Sequence, residues 1–295
     1  MRIVGAPRAA MGSLSEQEMA NIAAPVVEAN GARVPAIGLG TWDLRGRTCA
    51  RAVEQALRLG YRHIDTAEIY DNEREVGEGL RASGLRRSDV FITTKIWSSH
   101  LAPRELERAT KESLVRLRLS EVDLLLIHWP NPQIPLAETI PALCRMKSAG
   151  FARHIGVSNF NVALIEDAAR LSGEPLVTNQ IEWHPFLDQS KLGEACRRHG
   201  LSVTAYCPLA RGRAAGAPAL ATIGLHYRKT AAQVSLRFLL QEGAIVIPRT
   251  AKVERLSENL DVFDFELNDA EMDEIRTLAG PRSRIVTMGG ASQWD

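Results

Sequence analysis

Four side chains, Asp65, Tyr70, Lys95 and His128, have types that together suit proton transfer at an oxygen atom. A tyrosine hydroxyl has a reference pKa of about 10, too weak an acid to donate readily near pH 7. A lysine cation nearby stabilises the phenolate and draws that value down. A lysine taken out of water needs a partner of its own, and Asp65 is a suitable one. A neutral histidine beside the tyrosine orients and polarises a carbonyl oxygen as charge develops on it. The set is suited to protonating an oxygen while something else attacks the carbon. None of the four is a hydride source, so a reduction requires a cofactor. Each residue alone also has an ordinary reading: Asp65 as a helix N-cap, His128 as a satisfied core histidine, Lys95 snorkelling to solvent, Tyr70 packing.

The elements that must position these residues repeat along the chain. Short apolar runs occur at 36–40, 61–67, 90–96, 122–128, 154–159, 176–182, 201–207 and 244–248. Amphipathic stretches such as REVGEGLRAS, PRELERATKESLVRLRL, VALIEDAARL and TAAQVSLRFLLQEG separate them. Eight strands alternating with helices predict an α/β fold, a closed (β/α)8 TIM barrel. A doubly wound open sheet is disfavoured, because its nearest dinucleotide turn, Gly38 to Asp43, lacks the third glycine of G-x-G-x-x-G. In a barrel the site lies at the C-terminal strand ends. Asp65, Lys95, His128, Asn159, Gln180 and Tyr206 all fall at such ends, with Tyr70 in the loop just past Asp65.

Asn30-Gly31 between two β-prone stretches predicts an N-terminal hairpin with a type I′ turn. Asn268 followed by Glu271 predicts the capping box of an extra C-terminal helix. The stretch 209–229 shows no clear barrel element and is expected to be a functional loop, and residues 1–24 are expected to be a disordered leader. No linker-like tract divides the chain, so 1–295 is read as a single barrel domain.

Composition narrows the classes. Of the 295 residues 45% are apolar, and 36 Lys and Arg stand against 35 Asp and Glu. That balance argues against nucleic acid or an anionic membrane as partner. No apolar run approaches the roughly 20 residues of a membrane span. Cys49, Cys144, Cys196 and Cys207 are scattered without a C-x-x-C pair, which favours reduced thiols in a cytoplasmic protein.

The segment from Gly38 to Leu80, with G-x-R-x-x-D-[ST]-A-x-x-Y at Gly60 to Tyr70, resembles the opening signature of the aldo-keto reductase family. VDLLLIHWP, GVSNF, NQIEWHP, YCPL and IPRTAKVERLSEN resemble its later motifs, and the resemblance runs from about Val26 to the C-terminus. It implies Tyr70 as general acid/base, Lys95 and Asp65 as its tuning pair, and His128 as the carbonyl-orienting residue. Members that reduce steroid double bonds carry Glu at the His128 position, so the resemblance points to a carbonyl reductase, similar to bacterial diketogluconate reductases. It further implies NADPH as cofactor, with NADH possible. Ser158, Asn159 and Gln180 would hold the nicotinamide carboxamide and Tyr206 would stack on its ring. Thr41, Trp42, Cys207 and Leu209 would line the cofactor. Arg249, Thr250 and Arg255 would meet the 2′-phosphate, and Glu258 and Asn259 the adenine. Arg249-Thr250 departs from the family's usual Lys-Ser, and Cys207 stands where Ser is common.

Trp42, Trp97 and Trp129 follow the first, third and fourth strands and match the family's aromatic pocket positions, with Trp294 folding over them from the tail. Such an indole wall favours apolar or ring-bearing aldehydes and ketones. Arg211 and Arg213 either favour an acidic substrate, clasp the pyrophosphate, or are solvated loop charges. Two other functions compete. His63, Asp65, Glu68, His128 and His184 suggest a metal-dependent barrel hydrolase, against which Lys95 would repel a cation, so no metal is expected. A non-catalytic NADPH-binding accessory subunit is the other. The expected partner is a small carbonyl compound, and the expected state a monomer.

Overall fold

The computed structural model describes residues 25–288, Trp294 and the backbone of Ile3–Val4. Asn30 and Gly31 take φ values of 42° and 83°, the left-handed pair that a type I′ turn demands. They join β2 (Val26–Ala29) to β3 (Ala32–Pro35) as the expected hairpin. β1 (Ile3–Val4) adds to it antiparallel, Ile3 facing Val27. The rest of the expected leader lies outside the described residues. The Asn30 amide donates to the carbonyls of Leu176 and His199 at 2.7 and 3.0 Å, which pins the hairpin near the N-terminal strand ends of the main sheet.

That sheet has eight parallel strands: β4 (Leu39–Gly40), β5 (His63–Asp65), β6 (Phe91–Ile96), β7 (Val122–Ile127), β8 (Ala152–Ser158), β9 (Leu176–Glu182), β10 (Ser202–Tyr206) and β11 (Ile245–Val246). Each neighbours the next in sequence. The first and last also meet: Ile37 bridges Val246, Gly38 N–H donates to the Val246 carbonyl, and Val246 N–H to the Ala36 carbonyl, both at 2.9 Å. With no edge left, the sheet is a (β/α)8 barrel. Every residue of β7 and β9 is buried, as a strand with helices outside and packed side chains inside must be.

The helices that follow the strands are α1 (Gly46–Arg58), α2 (Glu73–Ala82), α3 (Pro103–Leu117), α4 (Leu136–Ser148), α5 (Val162–Leu171), α6 (Ser190–Arg198), α7 (Pro218–Tyr227), α8 (Ala231–Gln241), α9 (Val253–Leu260) and α10 (Asp269–Arg276). α10 carries the expected capping box of Asn268 with Glu271, and α8 has a second one from Thr230 and Gln233. Close packing of α1 on α2 depends on Gly79, whose place leaves no room for a Cβ against Ala50 and Val53.

One expectation is corrected. The stretch 209–229 is not a featureless loop: it holds two short 3-10 turns and the whole of α7. α7 escapes a periodicity reading because it is apolar nearly all round, with Leu225 exposed while Leu220 and Ile223 are buried. Among the described residues no helix is long and apolar enough to cross a membrane.

Candidate active site

Asp65 closes β5, and the parallel register sets it opposite Thr93, two residues before Lys95 on β6. Residues two apart share a strand face, so Asp65 and Lys95 point the same way. The Lys95 ammonium, with the side chain fully buried, donates to Asp65 Oδ1 at 2.5 Å and to the Thr66 carbonyl at 2.8 Å. Asp65 Oδ2 accepts from the Gln180 amide at 2.7 Å. The ion pair is therefore hydrogen-bonded on both sides, the condition under which a buried pair is tolerated.

Tyr70 ends a 3-10 turn, Glu68–Tyr70, that leaves β5 and stops at Asp71 in a left-handed conformation. Its hydroxyl oxygen sits 3.4 Å from Lys95 Nζ. Its ring meets the imidazole of His128 edge to face, 5.5 Å between centroids, and Trp97 meets the same imidazole at 5.2 Å. The four residues expected to act together thus lie at one place on the barrel mouth.

Burial sets their protonation. It pushes the Tyr70 phenol well above the usual tyrosine value, and the Asp65 carboxylate adds to the rise. The net direction is opposite to the downward draw expected of Lys95, because burial outweighs it. The ammonium is 2.5 Å from Asp65 and 3.4 Å from the phenol, and so serves both. The phenol keeps its proton. Burial first and Lys95 second hold His128 well below the usual histidine value, so the imidazole is neutral at pH 7, and among the described residues its buried Nδ1 has no hydrogen-bond partner. Burial also lowers Lys95, with Asp65 opposing.

The neighbouring strand ends carry amides and hydroxyls. Asn159 Nδ2 donates to the His128 carbonyl at 2.9 Å and to Ser158 Oγ at 3.0 Å, while its Oδ1 accepts from the Tyr206 hydroxyl at 2.8 Å. Ser158 Oγ donates to the Gln180 carbonyl at 2.7 Å. Asn159 and Cys207 hold φ values of 62° and 49°, unusual for residues other than glycine and costing about 1–3 kcal/mol each. Such strain at two strand ends on one face marks a place shaped for something other than stability. Thr41, fully buried, turns its hydroxyl to the Asp65 carbonyl at 3.0 Å. Leu209 is half-buried in the turn that follows Cys207.

The remaining expected cofactor residues follow β11. Arg249 reaches back to the carbonyls of Trp42 and Asp43 at 3.1 and 3.0 Å, tying the loop after β4 to the one after β11. Arg255 pairs with Glu258 at 2.7 Å, Thr250 Oγ1 accepts from the Lys252 backbone, and Asn259 is buried. Arg211 lies over the exposed Trp42 ring at 5.4 Å, and Arg213 over Phe186 at 3.9 Å. The donor set fits a nicotinamide dinucleotide: amides, a serine hydroxyl and an aromatic face at one end, the Arg249 and Arg255 guanidinium groups at the other.

Trp97 stands against His128, and Trp129 meets Trp294 at 6.3 Å. Trp42 stands beside Arg249 and Arg211. Among the described residues no three His, Cys, Asp or Glu side chains are grouped closely enough to hold a metal ion. His63 is bound to Thr93 and His184 to Glu182, each at 3.0 Å.

The sequence profile of the aldo/keto reductase family matches residues 36–279. The chain belongs to the aldo/keto reductase family. It is 40% identical over 265 residues to a methylglyoxal reductase DkgB of Yersinia pestis, covering 89% of this chain and 99% of that one. A solved structure of a putative 2,5-diketo-D-gluconic acid reductase B superposes with a TM-score of 0.90 at 48% identity, over 92% of this chain and 97% of that one. A Bombyx mori aldo-keto reductase in complex with NADP gives 0.84 at 33% identity, over 91% and 96%. This aldo/keto reductase is accordingly an oxidoreductase.

Sequence reasoning offered Glu68 only as a ligand for a metal and missed Asn72 and Glu182. Glu68 accepts from Trp97 N–H at 2.9 Å and meets His100 Nδ1 at 2.7 Å, which locks the Tyr70 turn to the Trp97 loop. Asn72, fully buried, donates to the carbonyls of Thr41 and Leu44 and accepts from the Thr66 hydroxyl. The available signal was composition: an asparagine and a glutamate flanking Tyr70 in AEIYDNE. Glu182 is buried at the end of β9, two residues beyond Gln180 and so on its face.

Proposed function

We propose that this enzyme reduces small aldehydes and ketones to alcohols with NADPH, Tyr70 giving its proton to the carbonyl oxygen. The observation that carries the reading is the Tyr70 hydroxyl. It keeps its proton, lies 3.4 Å from the Lys95 ammonium, and shares a wall with the neutral His128. A carbonyl oxygen directed between Tyr70 and His128 meets a proton donor and an uncharged polarising group. As the proton leaves, the Lys95 ammonium stabilises the phenolate that forms. Bound NADPH supplies the hydride that no side chain here can. Tyr206, fixed through its hydroxyl to Asn159, offers a ring face for the nicotinamide, and Arg249 and Arg255 offer charge to the 2′-phosphate. The names of the relatives make methylglyoxal and keto-sugar acids the first compounds to try.

Tyr70→Phe tests the reading. Loss of a positioned proton donor should lower turnover by about 10²–10⁴-fold. NADPH binding, followed by quenching of tryptophan fluorescence, should stay within a few-fold. A Phe variant that reduces the same carbonyls at near the parental rate overturns the role of Tyr70.

A further inference from the structure

The carboxylate of Glu182 is held by the C-terminal tail. Its Oε1 accepts the Ile285 N–H and its Oε2 the Val286 N–H, each at 2.7 Å, with His184 Nε2 3.0 Å from Oε1. Glu182 and His184 are both fully buried. A carboxylate removed from water needs charge-assisted donors, and two consecutive amides of the C-terminal tail supply them from more than a hundred residues away. The residue just before those amides is Arg284. Its guanidinium lies 3.7 Å over the Trp294 ring, within electrostatic reach of both Glu182 and Tyr206. Trp294 in turn meets Trp129, the residue after His128. A chain of contacts therefore runs from the end of β9, through the tail, to Trp129, whose backbone follows His128 at the barrel mouth.

We propose that Glu182 is a positioning residue of the substrate side: by latching Ile285 and Val286 it holds Arg284 over Trp294, and Trp294 against Trp129, as a wall of the carbonyl pocket. The proposal rests on the reductase reading above. Among the described residues nothing in the latch touches Arg249, Thr250 or Arg255, and its only reach toward the nicotinamide side is the electrostatic one on Tyr206, so it should govern the carbonyl compound far more than the dinucleotide. It should also govern KM more than kcat, because Tyr70, Lys95 and Asp65 are held by their own bonds.

The test uses the full-length protein in four forms besides the parent: Glu182→Ala, Glu182→Gln, Val286→Pro, and Glu182→Ala with Val286→Pro. Val286→Pro deletes one latch donor on the tail and leaves the buried glutamate in place, so it remains informative should Glu182→Ala fold poorly. Glu182→Gln retains one accepting oxygen and should fall between parent and Ala. Loss of a charge-assisted bond corresponds to about a tenfold or greater change in latch closure. Trypsin should then cut the native protein after Arg282 or Arg284 about tenfold faster, and KM for a carbonyl that the parent reduces should rise by a similar factor. The NADPH dissociation constant and kcat should stay within about threefold. The double variant should be little worse than either single one, since both open the same contact. Unchanged tryptic release with unchanged KM overturns the latch, as does a fall in kcat at constant KM or full additivity in the double variant. Faster release in the variants of a parent that turns over no carbonyl supports the latch and overturns the reductase reading instead.

Discussion

Replacing Lys95 with Met strikes the polar centre of the barrel mouth, and its cost follows from the contacts there. The ammonium donates to Asp65 Oδ1 at 2.5 Å and to the Thr66 carbonyl at 2.8 Å, with no part of the side chain exposed. Methionine roughly preserves the volume and returns neither donor. Asp65, only 1% exposed, is left with the Gln180 amide at 2.7 Å as its remaining side-chain partner. Breaking one side of a buried pair costs about 3–5 kcal/mol, and the surviving Gln180 bond places this variant near the lower end, about 3 kcal/mol. Adding Asp65→Asn removes the stranded charge while its carbonyl oxygen still accepts from Gln180. The double variant should therefore regain about 2 kcal/mol of the loss. Urea unfolding at pH 7, followed by far-ultraviolet circular dichroism on parent, both single variants and the double, measures all four corners. Carbonyl reduction should stay low in the double variant, since regained stability does not restore the ammonium beside Tyr70. A Lys95→Met protein within about 1 kcal/mol of the parent would refute the reasoning. So would a double variant no more stable than the single.

Three further outcomes are expected. Burial holds His63, bound to Thr93 at 3.0 Å, down to about 4, whereas the unfolded chain takes up that proton near 6.5. The unfolded state binds more protons between those values. Stability is therefore full above 6.5 and falls as pH drops toward 4, by up to about 3 kcal/mol from this residue, with His128 acting in the same direction. His63→Gln should flatten the difference between urea midpoints at pH 7 and pH 4.5, and an unchanged difference would exclude His63 as its source. Gly156→Ala should destabilise by about 1–3 kcal/mol in the same assay, because the added Cβ would stand 2.8 Å from the Thr178 carbonyl and 2.9 Å from Leu126 Cδ2; a neutral result would mean that β8 and β9 part easily there. Arg255→Ala should weaken NADPH about tenfold or more in fluorescence titration and leave NADH nearly unaffected. Equal effects on both nucleotides would remove Arg255 from 2′-phosphate recognition.

Local chemistry was enough for the architecture. Asn30-Gly31 determined a type I′ hairpin because few other dipeptides accept two left-handed residues, and Asn268 with Glu271 determined where α10 begins. Eight β-prone runs alternating with amphipathic helices determined the barrel, and the barrel's polarity brought Asp65, Tyr70, Lys95 and His128 to one mouth. The helix α7 was not legible, since a helix apolar nearly all round carries no 3.6-residue signal. The balance of charges inside the site was not legible either. That burial outweighs the nearby Lys95 and leaves the Tyr70 phenol protonated depends on exclusion of water, which packing sets. The same holds for Arg249 turning back to Trp42, and for Glu182 gripping the amides of Ile285 and Val286. These contacts join residues tens to hundreds of positions apart, and periodicity records only what neighbours in the chain do. The residue types and the face they share were thus written in the sequence, whereas which polar group satisfies which was decided only once the closed barrel had removed the water.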